Sequence, residues 1–179
     1  MRIIAITLPY AIDSEATIIR RLLADGIDII HLRKPEADID YCRHLLSQLT
    51  EDERAKIVIH DYPTLYDEFA LRGIHLNRNI THLPDEYHGS RTRSCHSFEE
   101  VLRYKDECDY VFLSPIFDSI SKSGYHSAFS HEALQRAANE AIIDNRVIAL
   151  GGVTPEMIPY IESLHFGGVA MSGAIFGNG

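Results

Sequence analysis

Four histidines stand in or just after short apolar runs: His31, His60, His75 and His96. An imidazole is the one side chain whose unperturbed pKa lies near neutral pH, so each of them can take up and return a proton. His96, at the tip of its run, is the first choice for such a shuttle and His60 the second. Arg33 and Lys122 are natural anion ligands, the first through its planar fork and the second as a point charge, and together they imply a ligand with more than one anionic group. Ser94, Ser119 and Ser121 add hydroxyls to the same set. Two later apolar runs end in Gly151-Gly152 and Ser172-Gly173, small residues whose N–H groups can face a phosphate. The same glycines serve equally as helix caps and tight turns, and local sequence leaves both roles open. His60 with Asp61 could hold a metal, yet no HxH or HExxH spacing accompanies them, so a histidine-bound zinc is not expected.

The elements that must position these residues alternate strictly. Residues 147–150 form a continuous apolar run, stopped by Gly151-Gly152. Thr154 then offers an N-cap with Pro155 at the first helical position, and Met157, Ile158, Ile161 and Leu164 recur at helical spacing. A second run, 169–171, completes a strand, helix, strand unit. Upstream, residues 2–7, 27–32, 56–60, 73–76, 91–95 and 109–113 read as strands. Residues 14–24, 39–49, 64–70, 97–105 and 131–142 read as helices, the fourth opened by a capping box, Ser97 with Glu100. Residues 77–89 are polar and turn-rich. Eight strands in βα order predict a parallel sheet with right-handed crossovers, closed as a compact (β/α)8 TIM barrel. The chain is short for that fold, which typically takes about 250 residues, so the last helix is expected to be missing from it. An open doubly wound sheet is the alternative, but Leu8-Pro9-Tyr10 stands where its glycine-rich turn would be.

The 179 residues are read as a single domain, 1–179, with 45% hydrophobic and 24% charged residues able to build a core. A formal charge of -9 argues against nucleic acid as partner. Three cysteines, Cys42, Cys95 and Cys108, make no CxxC pair, so neither a disulfide framework nor a zinc knuckle is expected. The cytoplasm fits best, no run is long enough to span a membrane, and self-association is left open.

Several motifs, taken jointly, are specific. They are His31-Leu32-Arg33, Arg93 to Glu100 (RSCHSFEE), Asp109-Tyr110-Val111 with Pro115-Ile116-Phe117, Ile148 to Pro155 (IALGGVTP) and Gly168 to Phe176 (GVAMSGAIF). With them nearly the whole chain resembles the thiamine phosphate synthase and TenI family of (β/α)8 barrels in thiamin biosynthesis. The resemblance implies a small thiazole phosphate as ligand. The family has two branches. Its synthases condense a pyrimidine diphosphate with a thiazole phosphate using magnesium, and carry a pattern like Gln-x-Arg-x-Lys where this chain has His31, Arg33 and Pro35. Of their two magnesium carboxylates, Asp61 matches the first and is this chain's metal ligand only if it is synthase-like; the second falls on Ile80. TenI-type proteins resemble this chain at His-x-Arg, at Ser-x-His-Ser with two Glu, and at Met-Ser-Gly-x-Ile-Phe. They include thiazole tautomerases, with the histidine matching His96 as acid/base. The reading is therefore a tautomerase needing no cofactor; the alternatives are a synthase using Mg²⁺ and a non-catalytic binder of thiazole phosphate or thiamin phosphate.

Overall fold

The computed structural model describes residues 1–83, 86–117 and 129–172. Its strands are β1 (Arg2–Ile6), β2 (Ile29–Leu32), β3 (Ile57–Ile59), β4 (Gly73–Leu76), β5 (Ser90–Cys95), β6 (Tyr110–Leu113), β7 (Val147–Leu150) and β8 (Gly168–Met171). They form one closed barrel in sequence order, β1 through β8, which establishes the (β/α)8 fold and excludes the open sheet. The registers are parallel, for example Ile6 beside His31, His31 beside Val58, and Leu150 beside Ala170. Strands β2, β6 and β8 are buried at every residue, as apolar runs covered on both faces must be.

The helices are α1 (Glu15–Ala24), α2 (Ile39–Ser47), α3 (Glu51–Arg54), α4 (Leu65–Phe69), α5 (Phe98–Tyr104), α6 (His131–Asn139) and α7 (Ile158–Ser163). Caps decide several boundaries. The Asp38 side chain accepts the Tyr41 N–H, and Thr50 with Glu53 forms a full capping box. That box starts a separate short helix beyond the one read over 39–49, which itself ends at Ser47. The expected capping box at Ser97 is half present. Ser97 accepts the Glu100 N–H, but the Glu100 carboxylate takes the N–H of His96 at 2.6 Å rather than that of Ser97. The helix expected after Thr154 begins as a tight 3-10 turn, Pro155–Met157, and Thr154 makes no side-chain cap. Pro159 is the cause: without an N–H it cannot bond back four residues, so the first turn closes through three.

The chain divides into two compact units, Ile3–Arg91 and Thr92–Gly179 with Met1–Arg2. No helix among the described residues is long and apolar enough to cross a membrane. The final helix expected to be missing concerns residues after Ser172, which lie outside the described set.

Candidate active site

In the second unit His96 follows β5 directly, held from two sides. Its backbone N–H goes to Glu100, and its ring Nδ1 lies 3.0 Å from the Ser114 carbonyl oxygen and 3.3 Å from the Ser114 hydroxyl. A carbonyl only accepts, so Nδ1 carries the hydrogen and the lone pair is left on Nε2. The exposed ring thus presents a base. Ser114 itself is buried and its N–H bonds the Cys95 carbonyl, which ties the ends of β5 and β6 together. Ser94, half-buried, sits two residues before His96 on β5, beside Phe112.

The next strand end carries the glycine pair. Ile116 N–H bonds Leu150 O and Phe117 N–H bonds Gly151 O, so the chain after β6 runs along the end of β7. Gly151 has φ 94°, and a Cβ there would lie 2.8 Å from both Cα and Cβ of Pro115. Its bareness is therefore spent on a protein neighbour. Gly152, at φ 65°, is different: among the described residues no protein acceptor takes its N–H. The β7–β8 pairing ends at Leu150 beside Ala170, just before the glycine pair on one strand and Met171-Ser172 on the other. Ser172 is half-buried there. Gly173, and Ser119, Ser121 and Lys122 on the loop after β6, lie outside the described residues.

In the first unit, three imidazoles pack on one another. His31 Nδ1 is 2.7 Å from His60 Nε2, His31 meets both other rings edge-on, and His60 and His75 are stacked at 4.0 Å with 10° between their planes. All three are buried. Burial, reinforced by His75 and Arg72, holds His31 well below its ordinary pKa, and burial with His75, His31 and Arg33 does the same for His60. Both are neutral at physiological pH. The three sets of ring nitrogens come within 4.8 Å of one another, close enough to raise the question of a metal. The stacking answers it. An imidazole binds a metal through a lone pair in its own plane, and the His60 and His75 planes, 10° from parallel with centroids 4.0 Å apart, do not meet at one ion in this packing.

Arg33 follows β2 and is exposed. Asp61, half-buried after β3, accepts the Lys34 N–H on Oδ2 at 2.8 Å. Ile80 is buried, its N–H taken by Asn77. Asn77 also donates its amide to the His60 carbonyl at 2.9 Å, tying the ends of β4 and β3. One carboxylate, with an oxygen already in use, and an isoleucine in the second position fit magnesium poorly, since that ion wants hard oxygen ligands. The three cysteines are free and buried, and burial pushes the Cys42 and Cys95 thiols up to about 11 and about 12, so neither is a nucleophile.

Sequence reasoning missed Ser114, Asn77 and the fully buried Lys34–Glu15 pair. Glu100 was marked as half of a capping box and as the end of the motif from Arg93, without its bond to His96.

With this fold and these strand ends described, the family follows. A family model described as thiamine monophosphate synthase, TMP-TENI, matches residues 3–175, and the chain belongs to that family of thiamine biosynthesis. The thiamine-phosphate synthase of Photorhabdus laumondii is 28% identical over 175 residues, covering 93% of this chain and 81% of that one. That of Bacteroides thetaiotaomicron is 26% identical over 165 residues, covering 86% and 79%. A crystal structure of a thiamine phosphate pyrophosphorylase from Bacteroides thetaiotaomicron superposes with a TM-score of 0.89 at 39% identity, covering 98% of this chain and 85% of that one. The Pyrococcus furiosus thiamine phosphate pyrophosphorylase, at 19% identity and a TM-score of 0.77 over 99% and 88%, shares the fold.

Proposed function

We propose that this member of the family binds a thiazole phosphate and catalyses its aromatisation by proton transfer, as a TenI-type tautomerase. The observation that carries the reading is the 3.0 Å contact of His96 Nδ1 with the Ser114 carbonyl oxygen, which takes the Nδ1 hydrogen and leaves Nε2 of the neutral ring as the base. A proton leaves one atom of the non-aromatic ring to Nε2, the electron pair it leaves behind completes the π system, and Nε2–H returns a proton at another carbon. Charge and electrons balance, so the chemistry needs a positioned acid/base and an anchor for the phosphate. The Gly152 N–H and the end of β8 at Ser172 supply the anchor; Arg33, in the other unit, is read by itself as an anion ligand. His60, neutral and hydrogen-bonded to His31, stands second as acid/base.

The poor fit of Asp61 and Ile80 to magnesium favours this reading over a diphosphate reaction. The second reading is the synthase, condensing hydroxymethylpyrimidine diphosphate with thiazole phosphate and releasing pyrophosphate. The printed names of the relatives favour it, and so does the retention of Asp61. Purified protein given each substrate set, with ring aromatisation read by ultraviolet absorbance and pyrophosphate release read separately, decides between them.

A further inference from the structure

Lys34 is fully buried, and its ammonium uses all three of its donors: Leu8 O at 2.9 Å, Tyr10 O at 2.8 Å and Glu15 Oε1 at 2.7 Å. Glu15 is equally buried, and its other oxygen lies 2.6 Å from the Tyr41 hydroxyl. Tyr41 in turn accepts the Ile12 N–H at 3.1 Å. Desolvation lowers the Lys34 pKa against the opposing pull of Glu15. A buried pair of this kind contributes little net stability, because desolvating two charges offsets their attraction; apolar residues of the same volume often serve the fold as well. Its placement needs another account.

That account lies one residue away. Arg33 is exposed, yet its backbone is pinned on every side. The Thr7 hydroxyl accepts the Arg33 N–H at 3.0 Å and donates to the Arg33 carbonyl at 3.1 Å. Asp61 takes the next N–H, that of Lys34, and Glu36 N–H bonds Pro9 O at 3.0 Å. The ammonium therefore joins the segment after β1 to the segment after β2 at the residue adjoining Arg33. We propose that Lys34 and Glu15, with Thr7, are positioning residues that set the Arg33 guanidinium for the phosphate of the ligand. The benefit is preorganisation, since a guanidinium on a fixed backbone loses less freedom when it closes on an anion. The inference rests on the reading of Arg33 as an anion ligand.

The test is a cycle on the full chain with inorganic phosphate as probe, read by calorimetric affinity and by melting temperature. Arg33→Gln should weaken phosphate binding by about tenfold to a hundredfold, the worth of charge-assisted hydrogen bonds. Lys34→Met alone should lower the melting temperature, because it leaves a buried carboxylate unpaired. Adding Glu15→Leu should recover part of the melting temperature, the Leu8 and Tyr10 carbonyls staying unpaired, but not the affinity, which stays about tenfold weak. In the Arg33→Gln background the double change should weaken binding no further. Thr7→Val is to be carried through the same cycle, with the same absence of further loss expected, so the answer survives a double variant that does not fold. Wild-type affinity in the folded double variant, or in Thr7→Val, overturns the inference and leaves Arg33 an anion ligand. Wild-type affinity in Arg33→Gln overturns both.

Discussion

Neutral, buried imidazoles make the stability of the fold depend on pH. His31 and His60 have folded-state pKa values held below their ordinary 6.5, while the unfolded chain protonates near that value. Below about pH 6.5 the unfolded state binds more protons, so stability present at pH 7 and above should be lost as pH falls toward the depressed folded values. Each histidine adds at most about 1.4 kcal/mol per pH unit. Carboxylates held low, such as Asp144 beside Lys105, act only below their own ordinary value of 3.8. Unfolding free energies in urea should therefore drop between pH 7.0 and pH 5.5, and a flat profile there would show that these rings are not buried neutral. At His96 the expectation concerns rate: His96→Ala should lower turnover by about 10²–10⁴-fold with phosphate affinity nearly unchanged. Undiminished turnover would move the acid/base role to His60. The histidines were legible as chemistry because each stands at or beside a strand end. Their mutual packing was not, because it depends on which neighbouring strands bring rings 29 and 15 positions apart into contact, and no local pattern encodes that. Lys34 and Glu15 were illegible for the same reason.

At the scale of elements, strands were the most legible feature, since the short runs at residues 73–76 and 147–150 match β4 and β7 end to end. Helix ends were less so. The helix read over 39–49 began where the Asp38 cap sets it but ends at Ser47, the cap signal at Thr50 went unread, and Pro159 broke a helix whose hydrophobic spacing looked unbroken. The glycines divide into two physical kinds, and this gives a comparison. Gly26 has φ 97° with nothing within 4 Å of an added Cβ, whereas Gly151, at φ 94°, faces Pro115. Gly26→Ala should cost about 1–3 kcal/mol for the backbone conformation alone. Gly151→Ala should cost more, by about 1–3 kcal/mol of overpacking. Equal losses in denaturant unfolding would mean that Pro115 yields freely and that the close approach does not explain Gly151.

For the whole molecule, βα alternation made the closed barrel legible, and joint motifs made the family legible. Which reaction this member performs was not, because the two branches share the fold and most strand-end residues and differ at a few positions such as Ile80. If the reaction is a proton transfer on a monophosphate, no diphosphate leaving group develops charge and no cation is needed to neutralise one. Asp61→Asn should then change turnover by less than about tenfold, a hydrogen bond rather than a ligand being altered. The most direct measurement is a time course of ring aromatisation with the non-aromatic carboxythiazole phosphate as substrate, in excess EDTA. A parallel assay supplies thiazole phosphate, the pyrimidine diphosphate and Mg²⁺, and reads pyrophosphate. Aromatisation should proceed at an undiminished rate in EDTA, with no pyrophosphate above background. Magnesium-dependent pyrophosphate release, with no acceleration of aromatisation, would contradict it and assign the chain to the synthase reaction.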